Sequence, residues 1–196
     1  MLLNRKLFFV RERVAVLKLT DTYDILDPES QQPIGLAKEE PRGFIKVLRL
    51  MMKKGTLPTT INVYEGEGQT PLFTIKRPLK FLRAKMNITD RSGAALGYMK
   101  SKLLTIGGGL KVYDTSDRQV AEVKGDWIGW NFQFVDESGR VLGTITKKWG
   151  GIGRELFTSA DNYMIQIEDA VRADPKLATL LLAAGLSIDM VYKERE

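Results

Sequence analysis

Residues 110–126 read LKVYDTSDRQVAEVKGD, and this stretch decides the fold. Leu110 and Val112 alternate with polar residues on one arm, and Ala121 and Val123 do so on the other. Period-2 spacing belongs to strands with one face buried. Between the arms lies Asp114-Thr115-Ser116-Asp117-Arg118. Such residues bond their own backbone and tolerate positive φ, so they favour a tight turn. The segment is a β-hairpin by these criteria.

Working outward, the same pattern recurs. It appears as YDILDPESQQPIGLAKEE (23–40), INVYEGEGQTPLFTIKRP (61–78), MNITDRSGAALGYMKSK (86–102) and FQFVDESGRVLGTITKKW (132–149). In most copies the second arm ends in lysine. Five hairpins supply about ten strands. RVAVLKL (13–19) and the pair ELFTSA (155–160) and YMIQIE (163–168) are read as further strands. So many antiparallel strands in one small domain point to a closed barrel or a sandwich.

Two segments depart from period 2. Residues 41–55, PRGFIKVLRLMMKKG, are bracketed by a helix-opening proline and a helix-closing glycine. As a helix they place Phe44, Val47, Leu48 and Met51 on one face and Arg42, Lys46, Arg49 and Lys53 on the opposite one. Residues 174–196 begin with Asp174, a capping residue, and Pro175 at the first turn. From Leu177 to Ile188 only Thr179 and Ser187 are polar. A helix apolar all round is expected to be buried on every side. It is shorter than the roughly 20 apolar residues a membrane span needs, so no transmembrane span is expected. A barrel of about ten to twelve strands has room for one helix inside.

Composition narrows the chemistry. The chain has 196 residues, 43% hydrophobic and 28% charged, which suits one globular domain over 1–196. It has no cysteine, which excludes disulfides, thiolate metal sites and palmitoyl anchoring. It has no histidine, which removes the usual general base and the commonest metal ligand. No pair of carboxylates stands out as catalytic. The chain is therefore read as non-enzymatic, with no cofactor and no metal. The start carries no secretory signal, since Arg11, Glu12 and Arg13 interrupt a short apolar patch; a cytoplasmic location is expected. The net charge of +6 suits an anionic partner.

From Gly143 to Glu194 the sequence resembles the C-terminal third of the phospholipid scramblases. The matching pieces are K-x-W-x-G-x-x-R-E-x-F-T (147–158), A-D-N-Y-x-I-Q (160–166) and a final apolar helix ending I-D-x-x-Y-x-E. Upstream, the hairpins are similar in order and spacing, including F-x-I-K-R-P at 73–78. The resemblance covers nearly the whole chain and extends to the LURP-one-related and tubby C-terminal domains. It implies a mainly β fold with α: a tubby-like closed antiparallel barrel of about twelve strands around a central C-terminal helix. The animal scramblases have a proline-rich N-terminal extension and acylated cysteine clusters, both absent here. Their proposed calcium loop begins D-A-D-N, whereas the aligned positions here are Ser159-Ala160-Asp161-Asn162, with Ala170 at the acidic twelfth position. Tight calcium binding needs several hard oxygen ligands, so no calcium site is expected.

Three basic groups are the candidate binding residues. The first is the helix face Arg42, Lys46, Arg49 and Lys53, which suits anionic headgroups or simply faces water. The second is the acid-free run Lys76, Arg77, Lys80, Arg83 and Lys85, a phosphate-reading patch or a solvated strand edge. The third is Lys147, Lys148 and Arg154 around a glycine-rich loop, which either cradles an anion or is a tight connection around Trp149. The expected function is a scramblase-like domain that binds anionic phospholipid headgroups or a protein partner, peripherally at a membrane surface. The alternative is a soluble interaction or structural module binding a small ligand or nucleic acid, with nucleic acid the less favoured partner.

Overall fold

The computed structural model describes all residues except 14–19, 42, 44, 46–56, 67, 79–84, 102–108, 127–128, 148–161 and 194–196. Twelve antiparallel strands close into one barrel. They are β1 (Leu7–Glu12), β2 (Thr22–Leu26), β3 (Pro33–Glu39), β4 (Thr59–Glu65), β5 (Phe73–Arg77) and β6 (Lys85–Asp90). They continue with β7 (Ala95–Ser101), β8 (Leu110–Asp114), β9 (Gln119–Asp126), β10 (Asn131–Val135), β11 (Val141–Thr146) and β12 (Asn162–Ile167). Each strand pairs with its sequence neighbours, and β1 pairs with β12 to seal the ring, from Leu7 opposite Gln166 to Arg11 opposite Asn162. Closure leaves no open edge for another chain to join.

All five hairpins read in the sequence are present. The strand expected over 13–19 falls mainly on residues outside the described ones, as does the one over 155–160. The first strand lies just upstream, on the apolar LFFVRE segment. The helix expected over 41–55 also lies mainly outside the described residues.

The turns share one construction. In the copies starting at Asp90, Asp114 and Asp136, the aspartate Oδ1 accepts the backbone N–H of the serine two residues on, at 2.8, 2.8 and 2.9 Å. It also accepts the N–H four residues on, at 3.0, 3.1 and 3.0 Å. The fourth residue of each turn has positive φ: Gly93 at 86°, Asp117 at 59° and Gly139 at 85°. A register shift beside each of these turns absorbs the extra residue, as a β-bulge does.

After β12 come a short α1 (Asp169–Arg172) and α2 (Pro175–Lys193), which runs inside the ring. Asp174 caps α2 as the sequence predicts, its Oδ1 accepting N–H bonds from Lys176 at 3.0 Å and Leu177 at 3.1 Å. The helix is about 28 Å long at 1.5 Å per residue, enough to thread the barrel. Leu180, Leu181, Leu182, Leu186 and Ile188 are all buried. They pack against inward residues such as Phe8, Ile25, Val63, Ile75, Met99, Phe134 and Ile165 in one continuous core. The two polar residues are satisfied within the helix: Thr179 donates to the Pro175 carbonyl at 2.7 Å and Ser187 to that of Ala183 at 2.8 Å. Two glycines allow close approach. A Cβ on Gly97 would sit 2.2 Å from the Tyr113 carbonyl oxygen and 3.0 Å from Leu180, and one on Gly185 would sit 2.6 Å from Ile165.

Candidate anion-binding face

Because neighbouring strands are antiparallel, connections alternate between the two ends of the barrel. The five short turns lie at one end, with the chain's first residues and the start of α2. The strand ends joined by 13–21, 40–58, 78–84, 102–109, 127–130 and 147–161 all lie at the other, the long-connection end. These six segments hold thirteen Lys and Arg against four Asp and Glu, and all three tryptophans. The opposite end is reversed. Segments 1–6, 27–32, 66–72, 91–94, 115–118, 136–140 and 168–174 carry nine Asp and Glu against six Lys and Arg.

The hairpin repeat adds a collar to this polarity. The lysines that close the second arms are Lys38, Lys76, Lys100 and Lys124 on β3, β5, β7 and β9, with Lys147 just beyond β11. All sit near the long-connection end. The first four are exposed, because alternation turns them outward while Ala37, Ile75, Met99 and Val123 point into the core. Lys147 lies over the Trp130 ring, with its Nζ 4.1 Å from the centroid. Trp130 is itself buried, edge-on to Phe132 and tilted against Tyr163.

The predicted run at 76–85 is divided by the same alternation. Lys76 is exposed on the outer face of β5. Arg77 follows Phe73 and Ile75 into the interior. Its Nη2 donates to the Leu57 carbonyl at 3.3 Å and to Thr59 Oγ1 at 3.1 Å. Arg77 therefore ties the barrel mouth together from the inner side of the strand. Lys85 is exposed at the start of β6. Of the other candidates, Arg42, Lys46, Arg49, Lys53, Lys80, Arg83, Lys148 and Arg154 lie outside the described residues, as do Ser159 and Asp161.

Lys76 borders a groove of about 400 Å³ on this face. Pro41, Ile45, Pro58 and Pro78 give it apolar walls, and Thr60, Lys76, Arg77 and Asn87 give it polar ones. Apolar walls with a few convergent polar groups are what a small ligand site offers. Next to it Tyr98 and Tyr113 stack, with centroids 4.8 Å apart and planes 13° from parallel. Lys85 Nζ lies 3.7 Å from the Tyr98 centroid, and Lys100 Nζ is 5.1 and 5.2 Å from the two rings. Burial, and then the hydrogen bond to Asp117, holds the Tyr98 hydroxyl above the ordinary tyrosine pKa, so it stays a neutral donor. Single-sequence reading missed Lys100, Lys111, Tyr98 and Tyr113 as site residues. The recurrent lysine closing each hairpin was the available signal.

A second groove, about 410 Å³, opens at the hairpin end between the turns at Asp114 and Asp136 and the start of α2. Its aspartates are engaged by backbone N–H groups, and Asp114 and Asp136 also pair with Arg118 and Arg140 at 3.1 Å each. Among the described residues no group of three or more acidic side chains is placed to hold a metal ion. Nor, among them, is any helix long and apolar enough to cross a membrane.

The profile of the Scramblase family matches residues 14–195. The chain belongs to the scramblase family. It is 26% identical over 153 residues to phospholipid scramblase 1 of Mus musculus, covering 70% of this chain and 45% of that protein. It is also 26% identical over 153 residues to phospholipid scramblase 2 of Homo sapiens, covering 70% of this chain and 50% of the relative. Altered inheritance rate of mitochondria protein 25 of Saccharomyces cerevisiae is 21% identical over 211 residues, covering 88% and 64%. This scramblase-family chain thus spans about half the length of the phospholipid scramblases it matches. No solved structure matches it significantly. The family match and the closed twelve-stranded barrel agree with the resemblance read from the sequence.

Proposed function

We propose that this protein is a non-enzymatic lipid-binding domain that docks the long-connection end of its barrel on an anionic phospholipid surface. The observation that carries the reading is the polarity of the barrel: the collar of lysines lies near the end whose strand ends are joined by basic stretches of sequence, and the acidic turns lie at the other. Each basic residue near an anionic leaflet contributes about 1 kcal/mol. Kinship with proteins named phospholipid scramblases supports a lipid ligand. Binding, not translocation, is the activity proposed, because α2 and its apolar partners fill the barrel interior. The association is peripheral and takes place at the cytoplasmic leaflet, where anionic lipids concentrate.

Co-sedimentation with liposomes tests this. The protein should pellet with vesicles rich in phosphatidylserine and not with neutral ones. Binding should fade as salt approaches 1 M, where the Debye length falls to about 3 Å. Reversing Lys46, Arg49 and Lys53 to glutamate should weaken binding and leave the melting temperature unchanged. A protein that ignores anionic vesicles at low salt is not a membrane-binding domain, and a soluble interaction module would take its place.

A further inference from the structure

The collar is uneven. On most of the ring its lysines face neutral neighbours: Lys38 lies opposite Thr22 and Asn62, Lys76 opposite Thr60 and Asn87, and Lys124 opposite Gln133. Across β6, β7 and β8 it closes up. Lys85 is directly opposite Lys100, and Lys100 is directly opposite Lys111. Three ammonium-bearing residues therefore stand in one row, on strands about 4.8 Å apart. Like charges directly opposed in a sheet are destabilising.

Several other exposed cations of this barrel are paired, although Arg91 and Lys124 are exposed with no ion pair among the described residues. Arg5 meets Asp27, Arg11 and Arg13 meet Asp24, Lys38 meets Glu40, Arg118 meets Asp114 and Arg140 meets Asp136. Among the described residues, no carboxylate forms an ion pair with Lys76, Lys85, Lys100 or Lys111. Glu122, opposite Lys111, ends the row on one side, and Asp117 is held by the Tyr98 hydroxyl on the turn side. The stacked Tyr98 and Tyr113 rings hold Lys85 and Lys100 over their faces. The row is thus preorganised, and the one carboxylate directly opposite it among the described residues is Glu122, at its Lys111 end.

We infer that Lys85, Lys100 and Lys111, flanked by Lys76, form a binding site for an anion carrying two or more phosphoryl groups. A single carboxylate or monophosphate spans too little of the row to neutralise three charges, whereas adjacent phosphoryl groups meet them in sequence. Lysine binds phosphate as a point charge and needs no fixed fork geometry. The ligand is either a soluble polyphosphorylated molecule or a multiply phosphorylated lipid headgroup. In the second case the inference rests on the membrane reading above and sharpens it from anionic surface to headgroup class.

Titration calorimetry with tripolyphosphate, set beside inorganic phosphate at equal ionic strength, tests the site without a membrane. Tripolyphosphate should bind, raise the melting temperature by mass action, and be displaced poorly by inorganic phosphate. Lys100→Gln should weaken it about fivefold, and Lys85→Gln with Lys100→Gln and Lys111→Gln together roughly a hundredfold, if each charge acts as a basic residue does at an anionic surface. Because these substitutions relieve like-charge opposition, the ligand-free melting temperature should hold or rise, which a merely structural lysine would not show. Vesicles carrying a bisphosphorylated headgroup, set beside phosphatidylserine vesicles of equal charge, then separate the sources. Preference for the bisphosphorylated vesicles, lost in the triple variant, assigns the lipid. Tripolyphosphate binding with no vesicle binding assigns a soluble ligand and sinks only the membrane proposal. Vesicle binding that the triple variant retains, with no response to tripolyphosphate, overturns the site and leaves the membrane proposal standing.

Discussion

Single residues fix the turns on which the barrel depends. Gly139 has a φ of 85° and open space where a Cβ would go, so only its backbone conformation resists substitution. Gly139→Val should cost about 1–2 kcal/mol, since a β-branched residue cannot enter the left-handed region without strain. Gly139→Asn should cost less, and thermal melting of the two variants makes the comparison. The aspartates make a second prediction. Hydrogen bonds to backbone N–H groups and serine or arginine side chains lower the pKa values of Asp27, Asp90 and Asp136. In Asp24 and Asp114 burial opposes ionisation, but bonds and charges from Arg13 and Arg11, or bonds from Arg118 and Ser116, outweigh it. A group whose pKa is lower folded than unfolded binds its proton more readily in the unfolded chain. Its stabilisation is complete above the ordinary aspartate value of about 3.9 and is lost as pH falls towards the folded value. Urea midpoints should therefore stay level from pH 7 to about 5 and drop steeply below about 4. In Asp24→Asn that acid limb should be shallower. An unchanged limb would show that Arg11 and Arg13 do not set it.

At the scale of elements, α2 is the piece the barrel cannot do without. Its five large aliphatic side chains from Leu180 to Ile188 are buried, and at roughly 2 kcal/mol each they contribute on the order of 10 kcal/mol. That matches the whole stability of a typical domain. Leu181→Ala should cost about 2–5 kcal/mol through the cavity it leaves. Leu181→Asp should abolish folding, because the apolar core around it offers a carboxylate no partner. Circular dichroism and solubility report both. A soluble, cooperatively melting Leu181→Asp protein would remove α2 from the core. The hairpins behave differently. Each pairs only with adjacent strands, and its outer face meets water, so outward changes such as Lys124→Gln should leave stability nearly unchanged.

Polarity emerges at the scale of the whole molecule, and so does its test. The chain has no cysteine, so Ser116→Cys introduces a single attachment site at the hairpin end, where Ser116 is exposed. If the long-connection end meets the membrane, a fluorophore there should stay open to aqueous quenchers when anionic vesicles are added. Tryptophan emission should change in the same titration, since Trp130 lies beneath Lys147 at the other end. Protection of the fluorophore on the hairpin end together with unaltered tryptophan emission would reverse the orientation.

The hairpins, their turn chemistry and the buried helix are legible in the amino-acid order, because these are local matters. Period-2 alternation, an aspartate two residues before a serine, and an all-apolar run capped by Asp174 each act within a few residues of the chain. It also held the lysine that closes each repeat. Tertiary structure alone decided that Lys76 faces out while Arg77 faces in, since the facing of a residue depends on which side of the sheet becomes the core. It alone set Lys85, Lys100 and Lys111 in one row, because register between strands is fixed by bulges and turn lengths that composition does not encode. And it alone brought to one end the strand ends that basic stretches between residues 13 and 161 join, because closing an even number of antiparallel strands sends every second connection to the same side.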